Sequence, residues 1–112
     1  ASVFSHSHEC ILITNRGNKI IDTNPAYLAL TGYTAEELLG KDPHVFSSGK
    51  HPESFYKQMW TDLKNRGSWE GEIRNKKKNG ELYTGKLMID MVRDEHGSVT
   101  HYVGVLTDIT YL

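Results

Sequence analysis

Between Trp69 and Val92 the chain reads "WEGEIRNKKKNGELYTGKLMIDMV", and no other stretch restricts the fold as tightly. Trp69, Gly71, Ile73 and Asn75 alternate with Glu70, Glu72, Arg74 and Lys76, the period of two that a strand shows when one face is buried and the other is wet. The charged set marks the wet face, so Asn75 points inward, where a side-chain amide needs hydrogen-bond partners. Asn79-Gly80 follows, the strongest short-range sign of a hairpin. Two long antiparallel strands are therefore predicted, Trp69–Lys77 and Glu81–Val92, joined across Lys78, Asn79 and Gly80.

The remaining segments arrange themselves around this hairpin. "CILIT" (Cys10–Thr14) and "KIIDT" (Lys19–Thr23) are short β-rich runs separated by "NRGN", which predicts a second hairpin with Gly17 in its turn. Asn24 and Pro25 suit a helix cap and first helical position, and Gly32 suits a stop. Thr34 and Glu37 have capping-box spacing ahead of a second short helix ending at Gly40, and "KDPHVFSSGK" reads as loop or a single helical turn. From Pro52 to about Asn65, the residues Phe55, Tyr56, Met59, Trp60 and Leu63 recur at spacings of three and four, the buried stripe of a longer helix. "VTHYVGVLTDIT" (Val99–Thr110) closes as a last strand. The order β-β-α-α-α-β-β-β predicts an α+β fold, an antiparallel sheet with helices packed on one face.

Composition removes whole classes of function. The 112 residues, 38% apolar and 24% charged, suit one soluble globular domain. A net charge of -1 gives no global attraction for nucleic acid or an anionic membrane. The basic cluster Arg74, Lys76, Lys77 and Lys78 sits at a hairpin end without aromatic stacking partners, so it reads as a solvated turn and no nucleic-acid partner is assigned. No apolar run approaches the roughly 20 residues of a membrane span, and no signal peptide is visible. The lone Cys10 rules out an internal disulfide and a multi-cysteine metal site, so a reducing, cytoplasmic setting is expected. There is no glycine-rich phosphate loop, G-x-S-x-G elbow or H-E-x-x-H helix; no catalytic residue is assigned and the domain is not expected to be an enzyme. His6 and His8 belong to an N-terminal segment, residues 1–8, expected to be flexible, and no metal site is assigned to them.

"NPAYLALTGYTAEELLGK", "SSG", "FYKQMW", "NKKKNGELY" and "YVGVLTDIT", in that order over about Glu9 to Thr110, resemble the PAS domain, a small sensory module. The resemblance implies one domain across residues 1–112, with a five-stranded antiparallel sheet whose concave face and helices enclose a ligand pocket. It implies an input domain of a bacterial signalling protein, linked to a diguanylate cyclase, phosphodiesterase, kinase or chemoreceptor output and forming homodimers through segments flanking the core. PAS domains carry haem, flavin, small metabolites or nothing, so the fold does not name the ligand.

The resemblance also implies a site. The pocket is expected to be lined by Ile13, Ile21, Leu30, Phe46, Trp60, Trp69, Ile73, Leu87, Ile89 and Leu106, with Asn75 inside it. The spacing of Trp60, Trp69 and Asn75 is similar to that in the flavin-binding PAS domains of bacterial redox and aerotaxis sensors. There the residues matching Trp60 and Asn75 lie beside the isoalloxazine ring, and light-sensing LOV domains use an asparagine at the Asn75 position. FAD is the cofactor this implies, since an indole can pack on an aromatic ring while an amide fixes its orientation. A pocket glutamate of at least one such sensor falls on Pro43. The alternative is a ligand-free scaffold that mediates dimerisation, in which both tryptophans are core and Asn75 bonds to backbone. Blue-light adduct chemistry is excluded, because "PHVFSSG" lacks the required cysteine and Cys10 reads as a small buried apolar residue. Haem-binding PAS sensors hold iron through a histidine in the long helix; "FYKQMW" has none, so haem requires His44 or His51 to turn inward. His96 and His101 are expected to be exposed. At the exit, Asp108 and Thr110 resemble the relay pair that joins the sheet to an outgoing helix, and either can cap that helix's first turn. The chain is expected to continue beyond Tyr111 and Leu112.

Overall fold

The computed structural model describes residue 4 and residues 8–110. The segment 1–8 expected to be flexible, apart from Phe4 and His8, lies outside the described residues, as do Tyr111 and Leu112. The described run 8–110 opens with two strands, β1 (Cys10–Asn15) and β2 (Ile20–Thr23). Helices α1 (Pro25–Thr31) and α2 (Ala35–Leu38), a 3-10 turn over Pro43–Phe46, and helix α3 (Glu53–Arg66) follow. Strands β3 (Ser68–Lys76), β4 (Leu82–Arg93) and β5 (Val99–Asp108) come last among the described elements. The five strands form one sheet in the order β2-β1-β5-β4-β3, with every neighbouring pair antiparallel. The α+β expectation holds. Because β2 and β3 are opposite edges, the chain crosses the full width of the sheet between them, and the helical segments make that crossing.

The three hairpin loops share one geometry. In each, the first residue donates its N–H to the carbonyl four residues on and accepts from the N–H three residues on, as at Asn15–Lys19, Lys77–Glu81 and Asp94–Ser98. The fourth residue is left-handed: Asn18 (φ 59), Gly80 (φ 91) and Gly97 (φ 82). These are three-residue loops with a closing left-handed residue. In the first loop Asn18, not Gly17, takes that conformation, which asparagine tolerates better than other non-glycine residues.

Asn24 does more than cap α1. Its Oδ1 accepts from Tyr27 N–H at 3.1 Å and from Ile11 N–H at 2.9 Å, while Nδ2 donates to the carbonyls of Glu9 at 2.8 Å and Phe4 at 3.1 Å. The residue is 0% exposed, and these four bonds use the full capacity of a primary amide. One side chain thus ties the N-terminal segment, β1 and α1 together. The Thr34–Glu37 capping box is present in both directions, and the end of α2 is fastened to β2 by Gly40 N–H to Ile20 O and Ile20 N–H to Lys41 O. Along α3, Met59 and Leu63 are buried and Phe55, Tyr56 and Trp60 half-buried, which is the stripe its spacing predicted.

The outer edge of β3 is covered by a strap from the crossing. Ser48 Oγ donates to Arg74 O at 2.7 Å, Arg74 N–H donates to His51 Nε2 at 2.8 Å, and Ser47 forms a backbone bridge with Asn75. Such a cover blunts an edge that would otherwise pair with another chain.

Two predictions follow from these anchors. Asn24→Ala removes a cap worth about 1 kcal/mol and strands buried partners at about 1–3 kcal/mol, so urea unfolding should show a loss of about 3 kcal/mol at unchanged m-value. A loss below about 1 kcal/mol would mean the side chain only caps α1. His51 is held below its ordinary pKa, first by burial and then by the Arg74 charge. Its folded value therefore lies under the unfolded value of about 6.5, and the unfolded chain takes up more protons as pH falls through that region. The strap is complete above that pH and is lost as pH falls through the folded value. Amide exchange at Arg74, corrected for intrinsic rate, should lose protection as pH falls below about 6.5; constant protection would contradict the assignment.

Candidate functional site

A cavity of about 850 Å³ lies between the inner face of the sheet and the crossing segments. Its sheet wall is set by strand alternation: Leu12 and Thr14 on β1, Gly104 and Leu106 on β5, Leu87 and Ile89 on β4, Ile73 and Asn75 on β3. The opposite wall comes from α1, from Phe46 in the 3-10 turn, and from Tyr56, Met59 and Trp60 on α3. Phe46, Trp60, Ile73, Leu87, Ile89 and Leu106 are therefore brought together as expected, with Asn75 among them.

Four residues expected in the lining are not there. Ile13 sits opposite Val103 in the β1–β5 ladder, between Leu12 and Thr14, so alternation turns it to the outer face. Ile21 is 42% exposed whereas Ile20 is 1% exposed, the same one-residue phase difference on β2. Leu30 packs against the core without reaching the cavity. Trp69 shares the inner face of β3, but its indole folds back along the strand: a Cβ on Gly71 would meet its ring at 2.7 Å. The ring then meets Phe55 edge-on at 5.7 Å and lies outside the lining. Trp60 does line the cavity and contacts Tyr102 edge-on at 5.2 Å.

Several further polar groups belong to this site. Tyr83 faces Asn75 in the β3–β4 ladder; burial pushes its pKa up to about 12, against the easing effect of the Asn75 side chain. Burial likewise raises Tyr27 strongly, so both phenols remain protonated. Alternation could have found Tyr83, since Lys86 and Asp90 mark the outer phase of β4 and leave Tyr83 on the inner one. Thr14 Oγ1 and Tyr56 Oη are buried without a hydrogen-bond partner. Ser47 is near enough to temper the burial-raised pKa of Tyr56, but not in bonding geometry.

Both His44 and His51 reach the lining, the condition that haem required. His44 meets Tyr56 edge-on at 4.5 Å, and His51 stacks on Phe55 at 4.0 Å. Because His51 Nε2 already accepts from Arg74, that nitrogen is committed to the strap. Among the described residues no group of three or more metal-ligating side chains is assembled. Cys10 is buried, its thiol contacts Ala26 O at 3.5 Å, and burial followed by the Asp108 charge raises its pKa. It stays a thiol. In the basic cluster, Lys78 pairs with Glu37 at 2.8 Å and Lys77 with Glu81 at 3.5 Å, while Lys76 borders the cavity.

At the exit, Asp108 Oδ1 accepts from Thr110 Oγ1 at 2.6 Å and from Thr110 N–H at 3.0 Å. Thr110 Oγ1 accepts from Thr84 N–H at 3.1 Å, and Ile109 N–H donates to Thr84 O at 2.9 Å. The Thr110 hydrogen bond is the main reason that the Asp108 carboxyl lies below its ordinary pKa. Asp108 and Thr110 thus form a latch onto β4, one residue from Tyr83.

The chain is 33% identical to a nitrogen fixation regulatory protein of Klebsiella oxytoca over 100 residues, covering 89% of this chain and 20% of the relative. It is 34% identical to a blue-light-activated histidine kinase of Brucella anthropi over 103 residues, 89% of this chain and 21% of that one. Against the aerotaxis receptor of Escherichia coli the figures are 29% over 98 residues, 87% and 19%. The chain spans about a fifth of each of these proteins. The PAS domain of a protein from Colwellia psychrerythraea superposes with a TM-score of 0.91 at 25% identity, over 98% of this chain and 93% of that one. An RNA-binding light-oxygen-voltage receptor superposes at 0.89 and 24% identity, over 96% and 31%, a likeness of fold. No described helix is long and apolar enough to cross a membrane. The PAS domain pattern matches residues 8–111, nearly the whole of the fold and all of the cavity, and the chain belongs to the PAS domain family.

Proposed function

We propose that this domain is a sensory input module that holds a flat heteroaromatic cofactor, a flavin of the FAD type, in its cavity and passes the cofactor's state to an attached output segment through Asp108 and Thr110. The observation that carries this reading is the cavity itself: about 850 Å³ of largely apolar lining with the Asn75 amide on one wall. Ligand sites commonly occupy about 300–1,000 Å³ and combine apolar walls with few polar groups. A scaffold that only dimerises has no use for such a space, and its side chains would fill it. The similarity to blue-light, aerotaxis and nitrogen-fixation regulators supports the same reading.

The residues present fit the group. Trp60 and Phe46 supply aromatic surface, Leu87, Ile73 and Leu106 an apolar bed, and Asn75 one donor and one acceptor for the polar edge of a heterocycle. Buried hydroxyls without partners at Thr14 and Tyr56 add capacity that the fold does not use. A bound flavin supplies visible absorption and a change of redox state. What this chain contributes is a path outward. Asn75 lies beside Tyr83, and the next residue, Thr84, holds Ile109 and Thr110 by its carbonyl and amide. A reorientation of the Asn75 amide therefore acts on β4 where the exit is latched. Such a relay works only if the two cofactor states favour the two latch states unequally.

Incubation with excess FAD followed by gel filtration should leave a structured absorption band near 450 nm, an expectation for the flavin chromophore at about that wavelength. Asn75→Ala should lose that band while its far-ultraviolet circular dichroism stays unchanged. A bare spectrum for the unsubstituted protein would remove flavin from the proposal, and an unchanged band in Asn75→Ala would remove the contact. Thr110→Val tests the latch: the folded pKa of Asp108, below its ordinary value because Thr110 donates to it, should rise when followed by carboxyl NMR, with flavin content unaltered. An unmoved Asp108 titration would show that the pair is not coupled.

A further inference from the structure

We propose that Thr14 is a ligand-contact residue, so that the occupant of the cavity is an elongated molecule held by hydrogen bonds at two ends, at Asn75 on β3 and at Thr14 on β1. This rests on reading the cavity as a ligand site. Thr14 is 3% exposed and lines the cavity, yet its Oγ1 has no partner. A buried hydroxyl left unpaired costs about 1–3 kcal/mol, and valine suits a strand as well as threonine does. Folding alone gives no reason for the hydroxyl. Thr23 on the adjacent strand provides the contrast: its Oγ1 is also buried and unpartnered, but Thr23 does not line the cavity.

The unpaired groups of the cavity fall in two places. Tyr56 Oη lies near Ser47, and Ser47 bridges Asn75, so this hydroxyl belongs to the β3 end. Thr14 belongs to the other. Strands β5 and β4 lie between β1 and β3, which makes three spacings of about 4.8 Å, or roughly 14 Å across the sheet. The floor between them is largely apolar, formed by Leu87, Ile89, Gly104 and Leu106, with Tyr102 beside Thr14 and Tyr83 beside Asn75. The ligand this selects has an apolar, aromatic middle and a hydrogen-bonding group at each end, the far one meeting an uncharged hydroxyl.

Thr14→Val and, as the control, Thr23→Val are to be compared with the unsubstituted protein by thermal melting without ligand and by titration with FAD, FMN and riboflavin. Both valines should keep or raise the melting temperature of the ligand-free protein. Only Thr14→Val should weaken flavin binding, by about tenfold for one lost hydrogen bond. Equal flavin affinity in Thr14→Val and the unsubstituted protein overturns the proposal. So does a lower melting temperature for Thr14→Val alone, which would mean that the hydroxyl is bonded within the fold through a trapped water. If the unsubstituted protein takes up none of the three flavins, the cofactor reading fails separately. The melting comparison then bears on the hydroxyl alone: an equal or higher value for Thr14→Val supports a hydroxyl with no bond inside the fold, as the proposal requires, and a lower one overturns it.

Discussion

Strands β2 and β3 close the two opposite edges of one sheet, and the chain between them has to get across. Four inter-strand spacings amount to roughly 19 Å, over a face whose strands have already spent their hydrogen bonds on one another. Short helices satisfy the backbone on the way, and each is stopped early by a left-handed glycine or a loop. A single long helix would lie flat and pack onto the sheet. A crossing broken at Gly32, Gly40 and Gly49, all with φ near +80°, arches instead. The cavity is the space under that arch, with polar groups from both walls: Thr14, Asn75 and Tyr83 from the strands, and Tyr27, His44, His51 and Tyr56 from the crossing.

Two asparagines show how differently one residue type is used under this arch. Asn24 is sealed and fully bonded, and it joins segments that are distant in sequence. Asn75 stands half-buried on the edge strand with a tyrosine beside it and an aromatic-walled space in front. Both were visible in the sequence as asparagines in places where polar side chains need explaining. Only the cap at Tyr27 could be read for Asn24, because Phe4, Glu9 and Ile11 reach it through tertiary folding.

Legibility elsewhere tracked whether a strand had a polar phase. On β3 charges at every second position, and on β4 Lys86 and Asp90, fix which side faces the helices, and Ile73, Asn75, Leu87 and Ile89 could be placed on the cavity side from sequence. On β1 and β2, "ILI" and "II" are apolar in both phases, so nothing in the sequence distinguishes Leu12 from Ile13 or Ile20 from Ile21, and both choices came out reversed. The resemblance to PAS domains set the strand order's general plan but not the rotamer of Trp69, which depends on the bare backbone of Gly71 beside it. Tyr56 and Thr14 were missed for a related reason: an unpaired hydroxyl is invisible until its neighbours are known.

The two tryptophans differ in surroundings as a result. Trp60 stands on the cavity wall against Tyr102, whereas Trp69 lies along its own strand against Phe55, outside the lining. Emission from the first is exposed to whatever enters the cavity, while emission from the second answers to the packing of α3 on β3. The molecule therefore carries one optical probe of occupancy and, nine residues further along the sequence, a second that serves as its internal reference for folding.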